Sequence, residues 1–457
     1  MARHRPLYYL LTIISISAYS IMGYGIQRYE TAYLFGIYFT LFAIYAWVLN
    51  DSTTKEINYW LAVSIILRVI LLFSIPALSD DFYRFIWDGR LLASGIQPFT
   101  HLPGYYLEQG NAVDGVNQFL YDHLNSKEYF TVYPPLAQII FWFSAILFPD
   151  SILGSVVVMR ILVLAAELGS LMLIKKLLPI FGLAPKNILI YALNPLVILE
   201  LTGNLHFEAF IIFFLLLAIY FIYRSKIWQA GVTIGLSIGA KLLPLIFLPL
   251  FIIRMGIRRS VILYVAAAIT IVFLFAPLLN AEVINGFSQS LGLYFKRFEF
   301  NASIYYLVRE YGFYTKGYNT IQTVGWKLGV IAMVGILIIS FWPFSFTRHE
   351  GKWKLTKKRS GSVNAWDEIP IAMMWVLFFY FLMTTTLHPW YLTTLLMLSI
   401  FTPYRFVIIW TAAVFLTYAG YTENGFYENG YLVVIEYILV IGYLVYEWIW
   451  RRRYTYQ

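Results

Sequence analysis

The sequence predicts an all-α polytopic membrane protein, and three observations carry that prediction. Hydrophobic types make up 60% of the 457 residues and charged types only 12%, whereas a soluble domain carries about 25% charge. The mean hydropathy is +0.70. Apolar stretches recur along the whole chain, and a crossing takes about 20 such residues. A soluble multidomain enzyme would need more surface charge, and a disordered chain would be far less apolar. The net charge of +9 calls for no nucleic acid, because membrane proteins gather Lys and Arg on cytoplasmic loops. With no Cys, thiol catalysis, Cys-ligated zinc and disulfides are excluded.

The stretches fall at 7–26, 32–49, 58–76, 134–148, 152–174, 187–201, 206–223, 227–253, 260–278, 322–342, 369–386, 389–402, 404–420 and 429–450. Several are short and read as half-helices or re-entrant pieces. Arg3 and Arg5 give the first stretch a basic head, as in a signal peptide. No small-residue cleavage site follows, so it reads as an uncleaved span with a cytoplasmic N-terminus. Loop 77–133 holds three basic and seven acidic residues, while loop 344–368 holds six basic ones and Arg451, Arg452 and Arg453 end the last stretch. Basic excess marks the cytoplasm, so 77–133 and 279–320 lie outside and 344–368 lies inside. If 134–148 and 152–174 both cross, Lys175, Lys176 and Lys186 fall outside; a partial crossing at 134–148 returns them to the inside and is favoured. Residues 1–457 read as one membrane domain, without a repeat or soluble linker.

The first external loop opens Ser79-Asp80-Asp81-Phe82-Tyr83-Arg84-Phe85-Ile86-Trp87-Asp88-Gly89-Arg90. A helix over 81–92 brings Asp81, Arg84 and Asp88 near one another. It sets Phe82, Phe85 and Ile86 in an apolar stripe, as in an amphipathic helix lying in the interface plane. Paired carboxylates at a span end repel unless partnered, and such a pair suits proton abstraction or cation binding. Glu108, Asp114, Asp122 and Glu128 read as solvated. The loop ends Tyr133-Pro134-Pro135, where the prolines start a helix.

Further on, Asn194-Pro195-Leu196 interrupts an apolar run, and Glu200, His206 and Glu208 crowd the end of a short span. Ionisable groups at membrane depth face a cavity, an ion path or one another. One His with scattered carboxylates is a thin metal site, so no metal cofactor is required and a divalent ion is not favoured. Lys241, beside Pro244, calls for an anionic partner such as a lipid phosphate. His388-Pro389-Trp390-Tyr391 lies between two apolar segments on the outer side and can hold a sugar face and a phosphate. Lys296, Arg297 and Arg309 form a basic patch placed outside, against the usual bias.

These segments resemble the GT-C membrane glycosyltransferases. The likeness rests on the Ser79–Arg90 run, Gly95-Ile96-Gln97-Pro98-Phe99, His123-Leu124-Asn125 and Thr131-Val132-Tyr133-Pro134-Pro135-Leu136. The Asn-Pro-Leu, His-Phe-Glu, Lys-Leu-Leu-Pro and His-Pro-Trp-Tyr segments follow in the expected order, over about three hundred residues in all. Bacterial polyprenyl-phosphate-mannose-dependent mannosyltransferases are the nearest likeness. The resemblance implies a bundle of eleven to fourteen membrane helices with interfacial helices in the external loops. It implies an inverting transfer of a hexose, mannose by family, from a polyprenyl-phosphate donor at the extracytoplasmic face of a bacterial inner membrane. The family's general base carries over to Asp80 or Asp81, and Asp81 is preferred because it leads the helix. The DxD-like signature of some members is here an adjacent Asp-Asp.

On this reading Arg84, Arg90, Lys241, Arg297 and His388 hold the donor phosphate, whose charge grows as the anomeric bond breaks. Trp87, Asp88, Tyr133, Asn194, His206, Glu208, Trp390 and Tyr391 complete the substrate-binding set. The acceptor is a hydroxyl of a glycolipid, polysaccharide or glycoprotein. The alternative is a flippase for a lipid-linked sugar, which would show internal symmetry and broken helices in matching halves. An oligosaccharide polymerase or ligase would carry its large catalytic loop later in the chain.

Overall fold

The computed structural model describes residues 5–278, 281–296, 298–342, 344–349, 352–357, 366 and 368–455. Among the described residues, six helices are long and apolar enough to cross a membrane: Pro6–Tyr24, Thr31–Asp51, Ile152–Ile180, Ile257–Leu278, Ile321–Phe341 and Gly430–Ile449. Pro195–Gly203 and Glu208–Tyr223, bent by 113°, count as a seventh if they form one span. Six shorter apolar helices complete the bundle. At 1.5 Å per residue, their 13–17 residues reach only about 20–26 Å. The chain is therefore an all-α polytopic membrane protein, with fewer full-length spans than apolar stretches. One apolar core runs from Ala18 to Val440.

Helices α1 (Arg5–Tyr24), α2 (Thr31–Asp51) and α3 (Ile57–Ile70) lead into the first long loop. That loop folds as α4 (Asp81–Ala93) and α5 (Gln118–His123), and is followed by α6 (Pro135–Leu147) and α7 (Ile152–Ile180). Asn117 caps α5 through Leu120 N at 3.0 Å, and Ser151 caps α7 through Gly154 N at 3.0 Å, each satisfying an amide that the helix leaves open.

Buried charges fix the direction of α7. Arg160 donates to Leu72 O and Ser74 O at the loop end of α3, and Arg68 pairs with Glu167 at 2.7 Å one level deeper. So α7 starts at the loop end and runs away from it. At its far end Phe181 packs on Tyr223, and Tyr223 on Trp366. That end also carries the antiparallel hairpin Phe344–His349 and Lys352–Lys357, whose strands the apolar pattern did not reveal. Helix α6 starts beside Asp88 through Gln138, and Pro149, just past it, lies against Gly115 of the same loop. Both ends of α6 therefore sit at the loop end. With 13 residues, α6 is one of the shorter apolar helices.

Small residues set the tightest contacts. Gly231, Gly235 and Gly239 lie in order against Leu263, Ala267 and Leu274, so two parallel helices pack backbone to backbone, as small-residue stripes allow. Gly89 of α4 faces the Phe141 carbonyl of α6, where an added Cβ would stand 2.3 Å from the oxygen.

One local expectation is corrected. Helix α4 forms, but not as an interfacial helix with a wet polar face. Phe82 and Arg84 through Leu91 are all buried, because residues 126–131 and Gly115 cover the polar side. Arg84 turns from Asp81 to Asp88, with Nε to Oδ1 at 2.8 Å, and donates to the Ser126 and Tyr129 carbonyls.

The α4–α6 contact yields a prediction. Gly89→Ala must push α4 off α6 and should cost about 1–3 kcal/mol, read as a lowered unfolding temperature in detergent. Gly36→Ala, where a Cβ meets nothing within 4 Å, should leave that temperature unchanged or slightly raised.

Candidate active site

Asp81 is the first residue of α4, where the positive end of the helix dipole favours a carboxylate. Its Oδ1 accepts from Asn125 Nδ2 at 2.7 Å and its Oδ2 from the Tyr133 hydroxyl at 3.1 Å. Asp80 points elsewhere and pairs with Arg28 at 2.5 Å. Arg28 in turn lies 4.8 Å above the Tyr421 ring. The two adjacent carboxylates thus relieve their repulsion through separate partners. Burial pushes the Tyr421 hydroxyl up to about 12, against the pull of Arg28.

The second side of the site comes from the turn after the π-helical segment Ile198–Gly203. Leu205 takes φ +63°, a left-handed conformation unusual for a residue with a side chain. This turn aims His206 back, so that its Nδ1 donates to the Glu200 carbonyl at 2.9 Å and lies 3.2 Å from the Glu200 carboxylate. Glu200 also accepts from Tyr418 and Asn204. The His206 Nε2 is buried without a partner. Its ring stacks on Trp390 at 3.7 Å, and His388 lies parallel to Trp390 at 4.4 Å. Lys241 reaches Glu208 at 2.5 Å and stands 3.6 Å over the Tyr391 ring.

Aromatic contacts join the two sides. Tyr133 meets Phe85, and Phe85 meets Phe207, the neighbour of His206. In the other direction Tyr421 meets Phe426, Phe426 meets Phe300, and Phe300 meets His388. These contacts close a circuit from Asp81 through His206, Trp390 and His388 back to Arg28 and Asp80. Four motifs far apart in sequence are brought together.

Other expected site residues are placed differently. Arg84, Trp87, Asp88, Arg90 and Asn194 are all buried. Asp88 is held by Arg84 and Gln138, Arg90 donates to Gly115 O, and Asn194 caps the Pro195 turn while donating to Thr411. These groups shape the loop and the bundle. Arg309 is engaged by Glu299 and Glu310, and Arg297 lies outside the described residues. Sequence reasoning missed Arg28, Phe207, Phe300 and Tyr421, and assigned no role to Asn125. The one available signal was a lone Arg at a membrane edge, beside an acidic pair in need of a partner.

A carboxylate held by two donors, a lysine and stacked aromatic rings thus lie together at one end of a polytopic bundle. The profile of the MptA_B family, described as alpha-(1->6)-mannopyranosyltransferase, N-terminal domain, matches residues 14–256. That is just over half of the chain, and the protein belongs to this family: it is a mannosyltransferase. No curated protein matches it. The matched segment holds Asp81, Tyr133, His206, Glu208 and Lys241, while the His388–Tyr391 segment and Tyr421 lie beyond it.

The packing of His388 generates a pH prediction. Burial, with Lys241 and then His206 nearby, pushes its pKa down from the usual imidazole range to about 3. The ring stays neutral in the folded protein, while in the unfolded chain it takes up a proton below about 6.5. Stability from this source is complete above that value and is lost as the pH falls from it toward 3. His388→Gln should flatten the acid limb of a stability–pH curve in detergent, by at most about 1.4 kcal/mol per pH unit.

Proposed function

We propose that the protein transfers mannose from a polyprenyl-phosphate donor to an acceptor hydroxyl at the extracytoplasmic face, with Asp81 as general base. The observation that carries this reading is the seating of Asp81. Both oxygens are oriented by Asn125 and Tyr133, yet a carboxylate offers about four acceptor positions, so two stay available for the acceptor proton. The basic hairpin and the last helical turns with Arg451 to Arg453 stand at the opposite end, which supports an outward-facing site.

The step is a single displacement with inversion. The acceptor oxygen attacks the anomeric carbon while its proton passes to Asp81. The bond from that carbon to the phosphate oxygen breaks, and polyprenyl phosphate leaves with the electron pair. Lys241 stabilises the growing phosphate charge, and the donor competes with Glu208 for it. Trp390, His388 and Tyr391 present faces to the sugar. The family's name indicates an α-(1→6) linkage, so the acceptor hydroxyl is the primary one of a hexose carried by a glycolipid, polysaccharide or glycoprotein. The scheme uses no divalent metal: Asp80 is paired with Arg28, and the open positions of Asp81 serve the acceptor proton.

Transfer of radiolabelled sugar in membranes tests the reading. Polyprenyl-phosphate-mannose should give product, and polyprenyl-phosphate-glucose and a nucleotide sugar should not. EDTA should leave the rate unchanged. Asp81→Asn should lower the rate about 10²–10⁴-fold, and Asp80→Asn, which frees Arg28, should cost less. Full activity in both variants would show that the base lies elsewhere. Movement of a labelled lipid-linked sugar between leaflets, without transfer, would make the protein a transporter.

A further inference from the structure

A second polar network lies behind the aromatic side of the site. Residues 298–300 run beside 384–387: Phe300 N donates to Thr385 O at 3.1 Å, Leu387 N to Phe300 O at 2.8 Å, and the Thr386 hydroxyl to Phe298 O at 3.1 Å. This pairing leads directly into His388, against which the Phe300 ring packs at 4.6 Å. The next residue, Asn301, takes φ +47° and is fully buried.

Asn301 is anchored on every side but one. Its N–H donates to Glu428 at 2.6 Å, its carbonyl accepts from Tyr437 at 2.9 Å, and its side-chain Nδ2 donates to Glu436 Oε1 at 3.1 Å. Trp410 Nε1 donates to the same Glu436 oxygen at 2.7 Å. Two buried atoms then have no partner: Asn301 Oδ1 and Glu436 Oε2. Both are acceptors when Glu436 is ionised, so neither can serve the other. A single proton on Oε2 resolves both, because a carboxylic acid and a primary amide form a closed pair with one hydrogen bond in each direction. Leaving two buried acceptors unsatisfied would cost about 1–3 kcal/mol each.

The surroundings agree with a neutral acid. Glu428 adds a like charge, and Tyr306 and Tyr437 add neutral hydroxyls. Tyr306 is itself bound to Glu428. Among the described residues, Arg309 lies over the Tyr306 ring and is engaged by Glu299 and Glu310. Among the described residues Glu436 forms no ion pair.

We propose that Glu436 holds a proton in the folded protein and, paired acid to amide with Asn301, is a positioning residue that fixes Phe300 against His388 and so sets the sugar-facing side of the site. This rests on the donor-binding role given to that side above.

Glu436→Gln, Glu436→Ala and Asn301→Ala, made in the full chain, test it. Glutamine can reproduce the protonated acid, with its oxygen accepting from Trp410 and Asn301 and its amide donating to Asn301 Oδ1. Glu436→Gln should keep wild-type KM and kcat, and should remove any alkaline loss of activity that arises from ionising Glu436. Glu436→Ala and Asn301→Ala should raise the donor KM or lower kcat roughly ten- to hundredfold, as displacement of a positioned group does. One readout is independent of the donor. The infrared carbonyl band of a buried protonated carboxylic acid, shifted by deuteration, should be present in the wild type and absent in Glu436→Gln. Absence of that band in the wild type, or a Glu436→Gln enzyme as impaired as Glu436→Ala, overturns the proposal. A correct band difference with no transfer from any lipid-phosphate donor would leave the proton in place and instead overturn the donor assignment.

Discussion

Arg160 is the pin on which the site hangs. It is fully buried, and its guanidinium donates to four main-chain carbonyls, those of Leu72, Ser74, Thr202 and Gly203. Two of these close α3 just ahead of Asp80, and two close the π-helical turn just ahead of His206. Helix ends leave carbonyls without intrahelical donors, and at membrane depth water is not there to take them. One cation meets that need for both ends at once and holds the two departure points together. Arg68 and Glu167 repeat the device a level deeper, with Tyr191 bound to the same carboxylate. Breaking a buried pair strands the remaining charge, so these contacts oppose sliding of α7 along α3.

Above that pin, the site uses its carboxylates in separate ways. Asp80 joins the loop between α1 and α2 to the first long loop through Arg28. Glu200 collects Tyr418, Asn204 and His206. Glu208 sits against Lys241. Asp81 is held by the neutral donors Asn125 and Tyr133, which orient it without neutralising it.

Much of this was legible in the sequence, and the limits have physical causes. Apolar runs located the bundle, because burial is a local property of a segment. The Asp-Asp pair, Tyr133, His206, Lys241 and His388 stood out as polar groups where polarity is expensive. The partner of Arg84 did not, because a helix offers both Asp81 and Asp88 within reach. The choice falls to Gln138 and to carbonyls at 126 and 129, which only the tertiary fold delivers. Arg28 and Asn125 are ordinary loop residues until the loop closes over α4. That Trp87 and Arg90 are buried was not legible either, because the chain that covers them comes from the rest of the loop.

The circuit around Asp81 also bears on how the enzyme comes into being. Asp81 and Lys241 arrive within residues 14–256, but Phe300, His388, Trp390, Tyr421 and Phe426 follow later in the chain. A chain emerging into the membrane therefore carries Asp81 long before it carries the aromatic rings that complete the circuit around it. The aromatic circuit around Asp81 closes only once the hairpin Tyr421–Thr422 with Gly425–Phe426 has joined it through Phe300 and His388.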